Sequence, residues 1–214
     1  LSLPVTVRRG RLEDYTVRAI AAPKNFEGTA YGFDCPARER LYVRFDLPEF
    51  RLWWPNGVGE QNLYVLEISF TDENCDTSYS EDTFAVRTLE LTSGSKTENP
   101  AQYNRTVEIN GRPVFMKGAG WCTIDAMMHF TREDYDRILS RAYDQGLNFL
   151  RAWGGGLVET DDFYDLCDEY GICVYQEWPT CWDSYKTQPA EVLYETVILN
   201  TKRIRNHPSL IVYG

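Results

Sequence analysis

Asp125, Arg151 and Glu177 are the charged residues of this chain best placed to do chemistry, and each shares a short piece of sequence with tryptophan. The pieces are Gly120-Trp-Cys-Thr-Ile-Asp125, Arg151-Ala-Trp-Gly-Gly-Gly156 and Gln176-Glu-Trp-Pro-Thr-Cys-Trp182, each following an apolar stretch of strand character. Two carboxyl groups about 5 to 9 Å apart can cleave a glycosidic bond. Asp125 and Glu177 would supply that pair if both stood on one pocket floor. A cation at the end of a buried strand needs a carboxylate partner, so Arg151 calls for either a structural ion pair or an acid of the site. Indole rings such as Trp121 and Trp153 cover the C–H face of a sugar while neighbouring polar groups bond its hydroxyls. Gly154-Gly-Gly156 lacks the spacing of a phosphate loop and reads instead as a tight turn, with Gly154 clearing room for a ligand ring.

The remaining titratable residues read as structural. Asp161, Asp162, Asp165, Asp168 and Glu169 fall on one helix, as partners of its N-terminal dipole and as a solvated face. His207, in Asn-His-Pro, reads as a helix-stop and loop hydrogen-bonding residue, and His129 is isolated. Six cysteines without a C-x-x-C pair, and only two histidines, argue against zinc. No metal and no cofactor is expected. Cys167 on a helical apolar face and Cys173 in a strand suggest buried thiols, which leans toward a reducing, cytoplasmic compartment and leaves a secreted or periplasmic one open.

Two periodicities divide the chain near residue 94. Before it, Leu41, Val43, Phe45 and Leu66, Ile68, Phe70 alternate as half-buried strands do, and similar runs cover Pro4–Arg9, Leu12–Ala21 and Thr83–Leu91. Turn-rich pieces at Asn25–Thr29 and Trp54–Gly59 separate them, so residues 1–94 read as an immunoglobulin-like β-sandwich. Thr92–Pro100 is a small, polar connector. After it, Asn110-Gly111 marks a two-residue hairpin. Helical stripes then start at Thr131 (Tyr135, Ile138, Leu139, Ala142), at Thr160 (Phe163, Leu166, Cys167, Tyr170) and near Pro189 (Leu193, Val197, Ile204), the last opening with proline as its first helical residue. Apolar strands Leu147–Ala152, Ile172–Tyr175 and Leu210–Tyr213 follow them. Alternating strand and helix place residues 95–214 in a partial (β/α)8 TIM barrel, since a complete one needs roughly 250 residues.

Net charge of −10 without a Lys/Arg cluster excludes a nucleic-acid footprint. No apolar run of about 18 residues offers a membrane span. Fourteen tyrosines and six tryptophans suit a carbohydrate partner, although most such rings build cores.

The pieces LWWPNGVGEQNLY (Leu52–Tyr64), FAVRTLEL (Phe84–Leu91), NGRPVFMKGAGW (Asn110–Trp121), NFLRAWGGG (Asn148–Gly156) and RNHPSLIVYG (Arg205–Gly214) resemble glycoside hydrolase family 2, and within it the β-mannosidase branch. The resemblance implies a retaining exo-glycosidase acting on terminal β-D-mannosides, with exo-β-D-glucosaminidase as the near alternative and β-galactosidase as a more distant one. A non-catalytic carbohydrate-binding module is the alternative from another class. The resemblance to family 2 implies an N-terminal jelly-roll domain and a second half-barrel outside this chain, an acid/base residue just after Gly214 and a nucleophile further on. No catalytic residue is then expected within the 214 residues, which alone should be inactive. Among residues present, the resemblance places Trp153 in the sugar subsite, Arg151 near the nucleophile, and Trp121 and Asp125 in the loop after the first barrel strand. Gly120 stands there where the family commonly has asparagine.

Overall fold

A computed structural model of the chain describes residues 2–5, 16–24, 31–36, 41–44, 47, 49–72, 74–93, 105–186 and 188–214. The turn expected at Asn25–Thr29, the strand ends Thr6–Arg9 and Leu12–Tyr15, Phe45 and most of the connector Thr92–Pro100 lie outside the described residues. By packing, the chain divides elsewhere than at the change of periodicity near 94: Leu1–Arg51 with Asn62–Phe84 form one compact unit, and Leu52–Gln61 with Ala85–Gly214 the other.

The first unit is antiparallel. Strands β1 (Ser2–Val5) and β4 (Leu41–Arg44) pair with each other, and β3 (Tyr31–Pro36), β2 (Thr16–Pro23), β5 (Tyr64–Thr71) and β6 (Thr77–Phe84) form a four-stranded sheet in that order. Alternation sets the faces: Leu66 is buried opposite Ala21 and Ala19 is buried opposite Ile68, while the intervening Glu67 is exposed.

The second unit joins an antiparallel sheet, β7 (Leu89–Ser93), β8 (Arg105–Ile109) and β9 (Arg112–Val114), to a parallel one. Asn110 and Gly111 both take positive φ, 52° and 72°, which makes the expected hairpin turn. The parallel sheet runs in chain order through β10 (Gly118–Trp121), β11 (Phe149–Ala152), β12 (Cys173–Gln176) and β13 (Leu210–Tyr213). Helices α1 (Arg132–Asp144), α2 (Asp161–Tyr170) and α3 (Ala190–Ile204) connect these strands. Among the described residues no helix is long and apolar enough to cross a membrane.

Local chemistry explains the boundaries. Thr131 and Asp134 form a reciprocal capping box at α1. Thr160 has the extended backbone of an N-cap at α2, but its side chain makes no capping bond. Gly171 ends α2 at φ +68°, where an added Cβ would stand 2.6 Å from the Asn56 nitrogen. Pro189 precedes α3 as its cap and is not the first helical residue, as its ψ of 126° shows. The single strand expected over Thr83–Leu91 is broken after Phe84 and resumes at Leu89. Its middle is bound elsewhere: the Val86 carbonyl accepts the Trp53 N–H, and the Arg87 guanidinium donates to the carbonyls of Pro208 and Leu210.

One core lies between the parallel sheet and its helices. Trp121, Leu150, Ala152, Val174 and Leu210 come from strands, while Tyr135, Leu139, Phe163, Leu166, Cys167 and Ile204 come from the helical stripes. Cys167 and Cys173 are buried free thiols, and burial pushes Cys173 up to about 12. The segment Leu52–Gln61, expected as a turn between sandwich strands, closes the end of this unit where the parallel strands begin. Trp53 is fully buried there and donates its indole N–H to the Asp168 carbonyl at 2.8 Å. Asn56 donates from its side chain to Tyr143 O and Leu147 O, and its backbone N–H bonds Gly171 O.

Candidate active site

The other end of the parallel sheet carries the chemistry-bearing residues. Trp121, Ala152, Gln176 and Tyr213 stand in register across the strand ends, and Gly120, Arg151 and Tyr175 form the row before them. Successive residues of a strand face opposite sides. Trp121, Ala152 and Gln176 are therefore buried under the helices, whereas Arg151 is turned away from them and exposed.

Arg151 is clamped side-on by Glu177. Its Nε lies 2.7 Å from Glu177 Oε1 and its Nη2 lies 3.0 Å from Oε2, which also accepts the Gly154 N–H at 3.0 Å. The fork geometry matches two guanidinium donors to two carboxylate oxygens. The Glu177 side chain is only 17% exposed, and that burial favours the neutral acid, but the bonds from Arg151 and Gly154 with the Arg151 charge outweigh it. The carboxyl is held below its usual range, and Arg151 is correspondingly raised by the hydrogen bond and charge of Glu177. Gly154 is required for the close approach of the two loops, since a Cβ there would stand 2.4 Å from the Trp178 carbonyl oxygen.

Aromatic rings flank the clamp. Trp153 meets Trp182 edge-on at 5.2 Å between centroids, and Trp182 is 84% exposed. Trp178 stacks on Tyr213 at 5.4 Å with planes 8° apart. Trp178 and Tyr213 carry no motif of their own in the sequence, and Trp182 differs there from a core tryptophan in nothing but its place past a strand. The signal for Tyr213 is its place as the last residue of a strand in register with Gln176.

Two expected site residues stand elsewhere. Trp121 belongs to β10 itself and not to the loop after it, so its ring packs on Phe163 and Tyr135 at 4.8 and 6.1 Å. Its N–H donates to the buried Glu159, which also accepts the Tyr135 hydroxyl at 2.6 Å. The expectation that the Trp121 indole covers a sugar face is corrected: Trp121 is core. Asp125 turns back on its own loop, its oxygens accepting the N–H groups of Met127 and His129 at 2.9 and 3.3 Å. Asp125 and Glu177 are thus both already engaged by N–H donors, Asp125 within its own loop and Glu177 across to Arg151 and Gly154.

Asp168 corrects another expectation. It is buried, not part of a solvated face, and it accepts the Ser209 N–H while lying 2.7 Å from His207 Nδ1. His207 does act as a loop hydrogen-bonding residue. With Asp165 these side chains form the one trio among the described residues whose donor atoms lie within metal-binding range of one another. It stands where β13 begins, away from the strand ends that hold Arg151, and two of its members already bond each other.

No family model matches the chain. Beta-mannosidase B of Aspergillus flavus is 33% identical over 176 residues, 80% of this chain and 20% of that protein. Beta-mannosidase of Rattus norvegicus is 35% identical over 165 residues, 76% of this chain and 19% of that protein. The crystal structure of β-D-mannosidase from Dictyoglomus thermophilum is 31% identical and matches 99% of this chain and 26% of its own, with a TM-score of 0.72. Over that stretch the chain belongs to the β-mannosidases of glycoside hydrolase family 2. It spans about one fifth of the length of these curated β-mannosidases. A β-glucuronidase of Parabacteroides merdae, 19% identical with a TM-score of 0.74 over 100% of this chain and 26% of its own, shares the fold.

Proposed function

We propose that this chain forms the sugar-facing wall of a retaining, exo-acting glycoside hydrolase that removes terminal β-D-mannosides. The observation that carries the reading is the likeness to a β-D-mannosidase over 99% of the chain. The place of the Arg151–Glu177 clamp and its aromatic rings supports it, because (β/α) barrels do their chemistry at the carboxyl ends of their strands. In this reading the antiparallel unit is the immunoglobulin-like sandwich of residues 1–94, and residues 95–214 supply the first half of a TIM barrel. Trp153 lines the sugar subsite, Arg151 stands beside the carboxylate nucleophile, and Gly154 keeps the loop clear. The acid/base and nucleophilic carboxylates, about 5 Å apart in a retaining enzyme, come from parts of the polypeptide outside this chain, and the reaction needs no metal or cofactor. Neither Trp121 nor Asp125 is retained as a sugar contact.

Assays of the full-length protein on 4-nitrophenyl β-D-mannoside, β-D-glucosaminide and β-D-galactoside test this. The mannoside should give the highest kcat/KM, and preference for either other sugar overturns the assignment. Trp153→Ala should lower kcat/KM on the preferred glycoside by on the order of 10²-fold, the scale of losing a positioning contact. An unchanged value returns the ring to a packing role.

A further inference from the structure

We propose that Glu177 is the positioning residue of this site: it neither binds the sugar nor moves a proton, but clamps the Arg151 guanidinium and the Gly154 N–H so that Arg151 and Trp153 are presented in fixed geometry. The inference rests on the glycosidase reading and assigns a role within that site.

Both oxygens of Glu177 are occupied. Oε1 takes Arg151 Nε, and Oε2 takes Arg151 Nη2 together with the Gly154 N–H. A sugar hydroxyl would have to displace one of these charge-assisted bonds. The clamp spends the Nε–Nη2 edge of Arg151 and leaves Nη1 without an acceptor among the described residues, so the guanidinium keeps one donor edge for an anionic group while its plane is fixed. The same carboxylate fixes the loop. Gly154 directly follows Trp153, and its N–H is tied to Glu177 while its α-carbon is pressed against the Trp178 carbonyl. The Glu177 N–H in turn bonds the Ala152 carbonyl at 3.0 Å. The loops after β11 and β12 are thereby joined on both sides of Trp153 through one residue. An acid with this surrounding stays ionised, which suits a clamp and not a proton donor.

The test is a double-mutant cycle in the full-length protein with 4-nitrophenyl β-D-mannoside, together with the 2,4-dinitrophenyl mannoside as a substrate with a better leaving group. Glu177→Gln should lower kcat/KM about 10- to 100-fold, the cost of a misplaced group. In an Arg151→Ala background the same change should cost less than about threefold, because groups acting as a unit are non-additive. The fold-loss should be the same for both leaving groups, and the basic limb of the pH profile should stay where it is. Additive losses, no loss, or a loss spared by the better leaving group each overturn the proposal, the last by making Glu177 a general acid. If Glu177→Gln prevents folding, Glu177→Asp, which keeps the charge but withdraws it by one methylene, is run through the same cycle. Turnover by the unmodified protein tests the glycosidase reading separately.

Discussion

Trp121 and Trp153 close neighbouring strands, and one residue of register separates their fates. Trp121 pairs with Ala152 and inherits its buried side, whereas Trp153 is the first residue past the ladder and is free to leave it. A shift of one position moves a side chain to the opposite face, so composition at a strand end does not tell core from site until the end itself is known. The sequence made the types of the site legible, in Arg151, Gly154, Trp153 and Glu177, but not that Glu177 would be the partner Arg151 requires. That pairing joins residues 26 positions apart and depends on the β11–β12 register. Trp121→Ala should destabilise the protein by about 3–5 kcal/mol, as large truncations in cores do, since it empties a ring site and strips the buried Glu159 of a donor. Denaturant titration checks this, and a midpoint equal to that of the unmodified protein contradicts it.

The helices were legible because their ends carry their own chemistry. The Thr131 capping box, the stripe from Phe163 to Tyr170 and the left-handed Gly171 are local, and local signals survive without knowledge of the fold. What α2 does with its acids is not local. Asp168 meets a histidine and a backbone N–H from the turn between α3 and β13, about 40 residues later. Burial works against the charged imidazole, yet the hydrogen bond and charge of Asp168, with Asp165 and Asp161 beyond, raise the His207 pKa above its usual value. A raised histidine stabilises the folded state fully below its unfolded pKa of about 6.5, and that contribution fades as pH rises through the folded value. His207→Gln should therefore cost more stability at about pH 5.5 than at about pH 9. Denaturation midpoints of both proteins at the two pH values would show it, and a pH-independent difference would contradict it.

At the scale of the molecule, the chain passes between its compact units three times, after Arg51, Gln61 and Phe84. Alternation and turn signals made both kinds of sheet legible. They could not reveal that a short Pro-Asn-Gly segment between two antiparallel strands belongs to the parallel unit, because its evidence is a set of bonds to carbonyls more than 80 residues away. Trp53→Ala should loosen that distant end. Hydrogen exchange should quicken at Gly171 and Ile172, next to the lost Asp168 contact, while amides of β5 keep their protection. Uniform protection across both would show that the ring adds nothing there.

The interleaving also governs how such a protein can be recombined. A chimera spliced at the change of periodicity near residue 94 would receive an α/β unit stripped of the ten-residue plug that seals its base, together with β7 and the Arg87 strap. Exchange between homologues would then succeed only when donor and recipient match each other at Leu52–Gln61 as well as at the junction, because the α/β unit is encoded in two separated stretches of sequence that travel together.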